Sequence, residues 1–219
     1  MHAPLSAQQV YDLEGILSSP RFATYLRETG GDRIRAMQLY CWNTDISAAF
    51  YIMLQFCELA VRNGALEAIE HEFGANWHLN RGFYRTLRRT RGYDPNRDLQ
   101  DCARRLPTAG QVVAELKFAF WQHLFVRGQD ARLWMPHFQG CFPGVDPALT
   151  IPQARAAMFD DIRQIRGFRN RIAHHEPIFA RQLADDRDRI SKLIHWRRPL
   201  SATWLSGVER VSALLVARP

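Results

Sequence analysis

The segment from Arg169 to Glu176 carries residue types that can act on a phosphodiester. It reads Arg-Asn-Arg-Ile-Ala-His-His-Glu and lies between a helical stretch and Pro177. Arginine stays charged and can hold a phosphate through several N–H donors. Histidine exchanges protons near neutral pH. Together these groups could bind an RNA backbone and move protons on and off the ribose 2′-hydroxyl.

Cleavage of RNA without a metal ion needs three contributions. A base removes the proton of the 2′-hydroxyl, an acid protonates the leaving 5′-oxygen, and a cation stabilises the charge of the transition state. The segment supplies both imidazoles and guanidinium groups within one short stretch. Its composition therefore indicates RNA cleavage as a chemistry to consider.

Helical geometry limits which of these side chains can lie together. Residues four apart lie about 40° apart around an α-helix. One stripe therefore contains Arg166, Asn170 and His174, and a neighbouring stripe contains Arg171 and His175. Arg169 and His174 are about 140° apart on an ideal helix, so they do not stand side by side. Either the arginine side chain curls back, or the helix loosens before Pro177, or both residues meet groups of a second subunit.

Each of these residues also has a purely structural explanation. A histidine near a helix C-terminus often interacts only with the last carbonyls and the helix dipole. Arginines repeated every few positions usually form a solvated face. The combination of arginine, asparagine and two histidines in one segment indicates a functional site more specifically than any one of these residues does.

The charge of the chain is compatible with a nucleic-acid partner. The 219 residues carry a net charge of +7, and of the 29 lysines and arginines only Lys117 and Lys192 are lysine. Arginine binds phosphate bidentately and stacks on bases, but a GC-rich genome would also favour arginine codons. The composition permits RNA as a partner and does not require it.

The remaining composition indicates one cytoplasmic globular domain. The N-terminus has no basic region followed by an apolar run, so we expect no secretory signal. The longest apolar stretch, 46–61, contains Gln55 and Glu58 and is shorter than a membrane span, so we expect no membrane contact. The four cysteines form no CxxC pair, which predicts reduced thiols and no zinc site.

Helical periodicity dominates the chain and predicts an all-α bundle of about eight helices in one domain, 1–219, with residues 1–31 as an N-terminal helical extension. We expect Ser6, Asp32 and Thr108 to cap helices and Gly74 to end one. The predicted segments are 6–17, 20–27, 32–40, 44–73, two helices within 81–105, 108–126, 152–176, 179–196 and 199–217. Residues 128–152 are predicted to be a loop whose aromatic residues cover a core.

Residues 81–105 contain eight arginines, which are Arg81, Arg85, Arg88, Arg89, Arg91, Arg97, Arg104 and Arg105. Four of them (Arg81, Arg85, Arg88 and Arg89) are predicted to share one helical face and to form a basic ridge. The ridge is either a solvated surface or a surface that follows the phosphates of RNA.

A longer pattern around the first segment resembles a known family. The hallmark of the HEPN superfamily is an arginine, a polar residue, a few variable positions and a histidine, and Arg169, Asn170 and His174 match it. In the Abi-like branch, named for phage abortive infection, the histidine is followed by His-Glu-Pro-Ile, which 175–178 reproduce. Upstream, 42–44, 58–63 and 115–121 look like core helices of that branch. The resemblance covers roughly 32–216, and its specific part is the string from Arg169 to Phe179.

The resemblance implies a HEPN-like fold, a homodimer and a metal-independent endoribonuclease that leaves a 2′,3′-cyclic phosphate. It also implies a role in phage defence or as a toxin. An antitoxin or a regulatory small RNA is a partner to test for, and the sequence does not decide whether one controls the protein. By the same resemblance, His174 is the acid/base, Arg169 the phosphate clamp and Asn170 an orienting residue, with His175 and Glu176 in support. Arg166 and Arg171, together with the basic ridge, are the residues we expect to contact RNA.

Two other functions remain open on the sequence. The basic ridge also fits a non-catalytic RNA-binding protein that forms a ribonucleoprotein with a small structured RNA. A structural bundle that acts through protein contacts is supported only by the aromatic residues of 134–142. We expect no metal and no cofactor, because Asp160 and Asp161 are adjacent and point about 100° apart on a helix, and no glycine loop for phosphates is present.

Overall fold

The computed structural model describes residues 5–90 and 92–219, and the predicted all-α class is confirmed. These residues form twelve α-helices and no β-strand. The predicted count of about eight was therefore too low. Residues 1–4 of the predicted N-terminal extension and Arg91 of the basic segment lie outside the described residues. The helices are α1 Ala7–Ile16, α2 Ser19–Glu28, α3 Arg33–Phe73, α4 Arg81–Thr86, α5 Pro95–Arg105, α6 Ala109–Glu115, α7 Phe118–His123, α8 Met135–Cys141, α9 Ile151–Ala173, α10 Leu183–Arg197, α11 Pro199–Val208 and α12 Val211–Val216.

The predicted caps are present where short polar side chains precede helices. The hydroxyl of Ser6 accepts a hydrogen bond from the Gln9 amide, and Asp32 and Thr108 accept from amides three residues ahead of them. Gly74 follows α3 with a φ of 77°, a conformation that favours glycine. Local side-chain chemistry therefore sets these four helix ends.

Helix α3 is continuous over 41 residues, and the predicted break between Tyr40 and Thr44 is wrong. The hydroxyls of Thr44 and Ser47 donate to the Tyr40 and Asn43 carbonyls one turn back, so they do not cap a new helix. No proline occurs within α3. At about 1.5 Å per residue the helix is about 60 Å long, and it forms the axis of the fold.

Three other predicted boundaries also differ from the structure. The predicted helix 108–126 is divided at Leu116 and Lys117, whose backbones are extended. The predicted loop 128–152 contains a π-helical turn, Asp130–Trp134, followed by α8. The predicted helix 199–217 is divided between Val208 and Val211.

Helices α1, α2, α7, α8, α9, α10 and α12 all pack against α3. The aromatic side chains of Trp134, Phe138 and Phe142 are buried and contact one another, which confirms that this part of the chain covers a core. Among the described residues α3 alone is long and apolar enough to cross a membrane, and 39% of its most apolar window is buried in the bundle. The core helix of a soluble protein can be equally long and apolar. The absence of membrane contact therefore stays a prediction.

Buried ion pairs fix α9, the helix that leads to the Arg169–Glu176 segment. Arg155 near its start forms a two-pronged pair with Asp130, with N–O distances of 2.8 and 3.2 Å, and also donates to the Phe125 carbonyl. In the middle of α9, the Asp161 carboxylate lies 2.5 Å from the Lys192 ammonium of α10. Because charges this well buried are costly without partners, these pairs restrict how α9 can lie.

Candidate functional site

The Arg169–Glu176 segment forms the C-terminal end of α9, and its backbone has the geometry of a Schellman cap. The His175 amide donates to the Ile172 carbonyl and the Glu176 amide donates to the Arg171 carbonyl, at 3.0 and 2.8 Å. These bonds satisfy two carbonyls that the helix end would otherwise leave unpaired. His174 is the C-cap residue, with φ −93° and ψ 10°, and its amide is still bonded to the Asn170 carbonyl. The helix therefore stays regular up to Ala173 and does not loosen before it.

His175 occupies the left-handed position of this cap, where glycine is usual. Its φ is 56°, the only positive φ of a non-glycine residue in the part of the chain that the structure describes. Such a conformation costs an L-residue about 1–2 kcal/mol. The Arg21 guanidinium of α2 donates to the His175 carbonyl at 3.2 Å. The predicted N-terminal extension therefore contacts the end of α9 directly.

Arg171 and Glu176 stabilise the same turn. The Arg171 guanidinium donates to the Pro177 carbonyl at 2.7 Å and lies 3.3 Å from the Glu176 carboxylate. Both side chains are partly exposed. In this structure Arg171, expected to contact RNA, holds the turn after the helix.

Asn43 anchors the chain that follows the cap. Its side-chain oxygen accepts hydrogen bonds from the amides of Ile178 and Phe179, at 2.8 and 3.1 Å, and only 5% of Asn43 is exposed. The Phe179 ring packs against the buried Tyr25 of α2. One amide side chain of α3 therefore positions the segment that fixes His174 and His175 in space.

Arg169 is paired with Glu58 of α3. Its Nε lies 3.1 Å from a Glu58 carboxylate oxygen, and one Nη donates weakly to the Asn170 side-chain oxygen at 3.4 Å. Burial raises the pKa of the Glu58 carboxyl, while the nearby Arg169 and Arg62 oppose that rise. The charge of Arg169 is thus partly compensated within the protomer.

The side chains of Arg169, Asn170, His174, His175 and Glu176 are all exposed. Among the described residues, no hydrogen bond or ion pair joins Arg169 to His174. The arginine turns toward α3 and does not curl back to the histidine. Of the three arrangements that the sequence leaves open, the protomer shows neither a curled arginine nor a loosened helix.

Arg166 lies apart from the exposed group. It is half-buried and lines a cavity of about 290 Å³ with Tyr93, Gln122, His123 and Phe159. The side-chain oxygen of Gln122 is buried in this region without a hydrogen-bond partner. The stripe of Arg166, Asn170 and His174 therefore runs from a cavity to the exposed end of α9.

The basic segment departs from its predicted geometry. Helix α4 ends at Thr86, so Arg81 and Arg85 lie on it while Arg88 and Arg89 follow in non-helical chain. The prediction that all four share one helical face is wrong, because the buried Leu87 has an extended backbone. All four arginines are nevertheless exposed. Arg89 lines an open groove with Arg97, Arg104, Asn96 and Gln100.

Several residues of this region were not selected from the sequence. Asn43 and Glu58 lie more than 100 residues from their partners in α9 and beyond, so no local spacing indicates them. Both fall in stretches that look like core helices of the Abi-like branch. Gln122 and His123 sit in a helix that reads as apolar core. No three His, Cys, Asp or Glu side chains within 5–90 and 92–219 come together as a metal-binding group.

The chain matches no family model, no curated protein and no solved structure. The resemblance to Abi-like proteins therefore stays a prediction that rests on the residues named above.

Proposed function

We propose that this chain is a metal-independent endoribonuclease with a HEPN-like fold that acts as a homodimer. The observation that carries the proposal is the exposed group of Arg169, Asn170 and His174 at a rigid helix end. His174 is accessible to a polynucleotide. Its own amide is bonded within the cap, Arg21 holds the carbonyl of the next residue, His175, and Asn43 holds the amides of 178–179. A positioned imidazole can take or give one of the protons that in-line attack by a 2′-hydroxyl must move, and guanidinium groups can hold the phosphate.

The proposed reaction exchanges one P–O bond for another. The ribose 2′-oxygen attacks the adjacent phosphorus as an imidazole takes its proton, and the P–O5′ bond breaks as an acid protonates the leaving oxygen. The products are a 2′,3′-cyclic phosphate and a 5′-hydroxyl. Arg169 would stabilise the charge on the non-bridging oxygens. Since base and acid are both needed, a second imidazole must come from His175 or from the His174 of a second copy.

Exposed apolar side chains on α3 and α11 support the dimer. On α3, Tyr51, Ile52 and Phe56 are 63, 50 and 40% exposed, and the 57% exposed Trp204 of α11 packs against Phe56 with ring centroids 5.7 Å apart. Tyr51 lies two turns before Glu58 on the same side of α3, whereas Phe56 lies about 160° around the helix from Glu58. The Tyr51 edge of this surface is therefore the part nearest Arg169, and a second copy bound over that edge by a two-fold axis would bring both helix ends toward one cleft.

The deciding experiment measures cleavage of a mixed-sequence RNA in excess EDTA. We expect His174→Ala to reduce the rate on the order of 100-fold or more, as loss of a general acid or base does. His195→Ala is the matched control, because His195 is also an exposed histidine near the end of a helix. Equal cleavage by His174→Ala and wild type would refute the site.

The dimer is tested separately by light scattering in solution. Ile52→Asp places a charge in the centre of the apolar surface without touching the catalytic group. We expect a dimer for the wild type and a monomer with reduced cleavage for the variant. A monomeric wild type that cleaves at full rate would show that one protomer holds the whole site.

Non-catalytic RNA binding is the second candidate, and the open groove of Arg89, Arg97 and Arg104 favours it. In that case the RNA affinity would fall steeply with salt, and His174→Ala would not change it. One discrete RNA that co-purifies with the protein and is never turned over would support this function over cleavage.

A further inference from the structure

The cavity beneath Arg166 has no role in the proposed cleavage step. It is about 290 Å³ in volume and is lined by residues of α7 and α9 and by Thr90, Gly92 and Tyr93. This is close to the lower limit of pockets that hold small ligands, about 300 Å³. The cavity could therefore hold a group no larger than a single planar ring system with its sugar.

The wall of the cavity contains a polar side chain that lacks a partner. Gln122 is only 6% exposed, and its side-chain oxygen makes no hydrogen bond. A buried polar atom without a partner costs about 1–3 kcal/mol. The neighbouring His123 bonds through its Nε2 to the Arg88 carbonyl and does not supply a partner for the Gln122 oxygen.

His123 also lines the cavity. Its Nε2 lies 2.8 Å from the Arg88 carbonyl, which can only accept, so this nitrogen carries the proton. Burial lowers the pKa of His123, while the Arg88 carbonyl and Asp94 oppose that shift. The ring is therefore neutral at pH 7, and its Nδ1 is a lone-pair acceptor.

The remaining walls are aromatic and cationic. Tyr93 and Phe159 line the cavity, and the Tyr93 ring is held in place by a 2.8 Å hydrogen bond to Asp98 and an edge contact with His123. Among the described residues, no hydrogen bond or ion pair engages the Arg166 guanidinium. Aromatic faces, acceptors and an unpaired guanidinium are the groups that proteins use to bind a base and its phosphate.

We propose that this cavity binds a nucleobase that carries an exocyclic amino group, with the Gln122 amide and His123 accepting from the base and Arg166 contacting an adjacent phosphate. The inference rests on the proposed RNA substrate. Arg166 precedes His174 by two helical turns, about 12 Å along the axis of α9. A base bound here would select cleavage sites a few nucleotides away. Uracil lacks an amino group, so it should bind worst.

The first test measures binding of AMP, CMP, GMP, UMP and ribose 5-phosphate by calorimetry. We expect an amino-bearing nucleotide to bind at least 10-fold more tightly than UMP, and ribose 5-phosphate not to bind. Gln122→Met conserves the side-chain volume. It should weaken the binding of the preferred nucleotide on the order of 10-fold, since one hydrogen bond to a buried group is lost. Gln164→Met, on the exposed face of α9, is the matched control.

A second variant guards against misfolding of Gln122→Met. Phe159→Leu should weaken the binding of all four nucleotides to a similar degree, because stacking is lost. Gln122→Met should remove the preference for amino-bearing nucleotides over UMP. Circular dichroism must match wild type for both, and thermal unfolding must show no loss of stability. Equal binding of all four nucleotides by wild type, or a preference that survives in Gln122→Met, would overturn the proposal.

Short RNAs distinguish a base that belongs to an RNA chain from the base of a free nucleotide. A uridine-rich oligonucleotide that contains one amino-bearing base should compete with the free nucleotide and should be cut at a fixed distance from that base. Nucleotide binding that RNA does not displace would assign the cavity to a free nucleotide. Cleavage that depends on His174 but shows no base preference would refute the base-binding cavity and leave the proposed nuclease activity standing. Base-selective binding without cleavage of any RNA would support the cavity and refute the nuclease activity.

Discussion

Replacing Asn43 with alanine should destabilise the fold strongly, because one side chain satisfies two buried amides. The Asn43 oxygen accepts from Ile178 and Phe179 at 2.8 and 3.1 Å, and 5% of the residue is exposed. Each buried donor left without an acceptor costs about 1–3 kcal/mol. Allowing for some rearrangement of the two amides, we expect a loss of about 2–5 kcal/mol. For a domain of this size that is a fall in Tm of about 5–15 °C.

The assay is urea unfolding followed by circular dichroism, together with hydrogen exchange of the peptide that contains Ile178 and Phe179. Thr44→Ala is the control, because the Thr44 hydroxyl bonds only to a carbonyl of its own helix and is exposed. Its effect should stay within about 0.5 kcal/mol. If Asn43→Ala loses less than about 1 kcal/mol, or if exchange at 178–179 is unchanged, Asn43 does not hold the end of the site.

Two further predictions concern residues at the end of α9 and beside it. His175→Gly should stabilise the protein by about 0.5–1 kcal/mol in urea unfolding, since relief of the positive φ exceeds the added entropy of glycine; His175→Ala should give no such gain. Glu58→Gln should change the pH dependence of stability. Burial raises the folded-state pKa of Glu58, so its contribution is fully present below the unfolded pKa and is lost as pH rises through the folded pKa. The stability of Glu58→Gln relative to wild type should therefore increase from pH 4 to pH 8, and a constant difference would contradict this.

Local sequence signals predicted the parts of the fold that depend on local chemistry. Ser6, Asp32 and Thr108 cap helices as expected because a short acceptor preceding a helix is sufficient for that role. The break predicted near Thr44 is wrong because its hydroxyl can either cap a new helix or bond to the carbonyl one turn back. The packing of seven helices on α3 favours a continuous helix. A polar side chain within a long apolar helix does not by itself indicate which bond it makes.

In the candidate site too, local features could be predicted from the sequence and long-range contacts could not. The exposed residues at the end of α9 could be selected from the sequence because their types and spacing are local. The cap that holds them could not, because its left-handed residue is His175 and not glycine. The partners of the site, Asn43 and Glu58, are set by how α3 and α9 pack, which no spacing within either helix specifies.

If Arg169 binds phosphate as proposed, its pairing with Glu58 should link RNA binding to proton uptake. The two side chains are 44 and 28% exposed, and an ion pair with this much solvent access is worth at most about 1 kcal/mol. A phosphate can therefore displace Glu58 from Arg169 at little cost.

Glu58 would then keep its burial and lose one of the cations that lower its pKa, so its pKa should rise further and the complex should take up a proton. We expect the affinity of the cleavage-deficient His174→Ala variant for RNA to fall as pH rises. Calorimetry in buffers of different ionisation enthalpy should show the uptake directly. Adding Glu58→Gln should remove it, and uptake that persists in the double variant would show that Arg169 does not exchange Glu58 for phosphate.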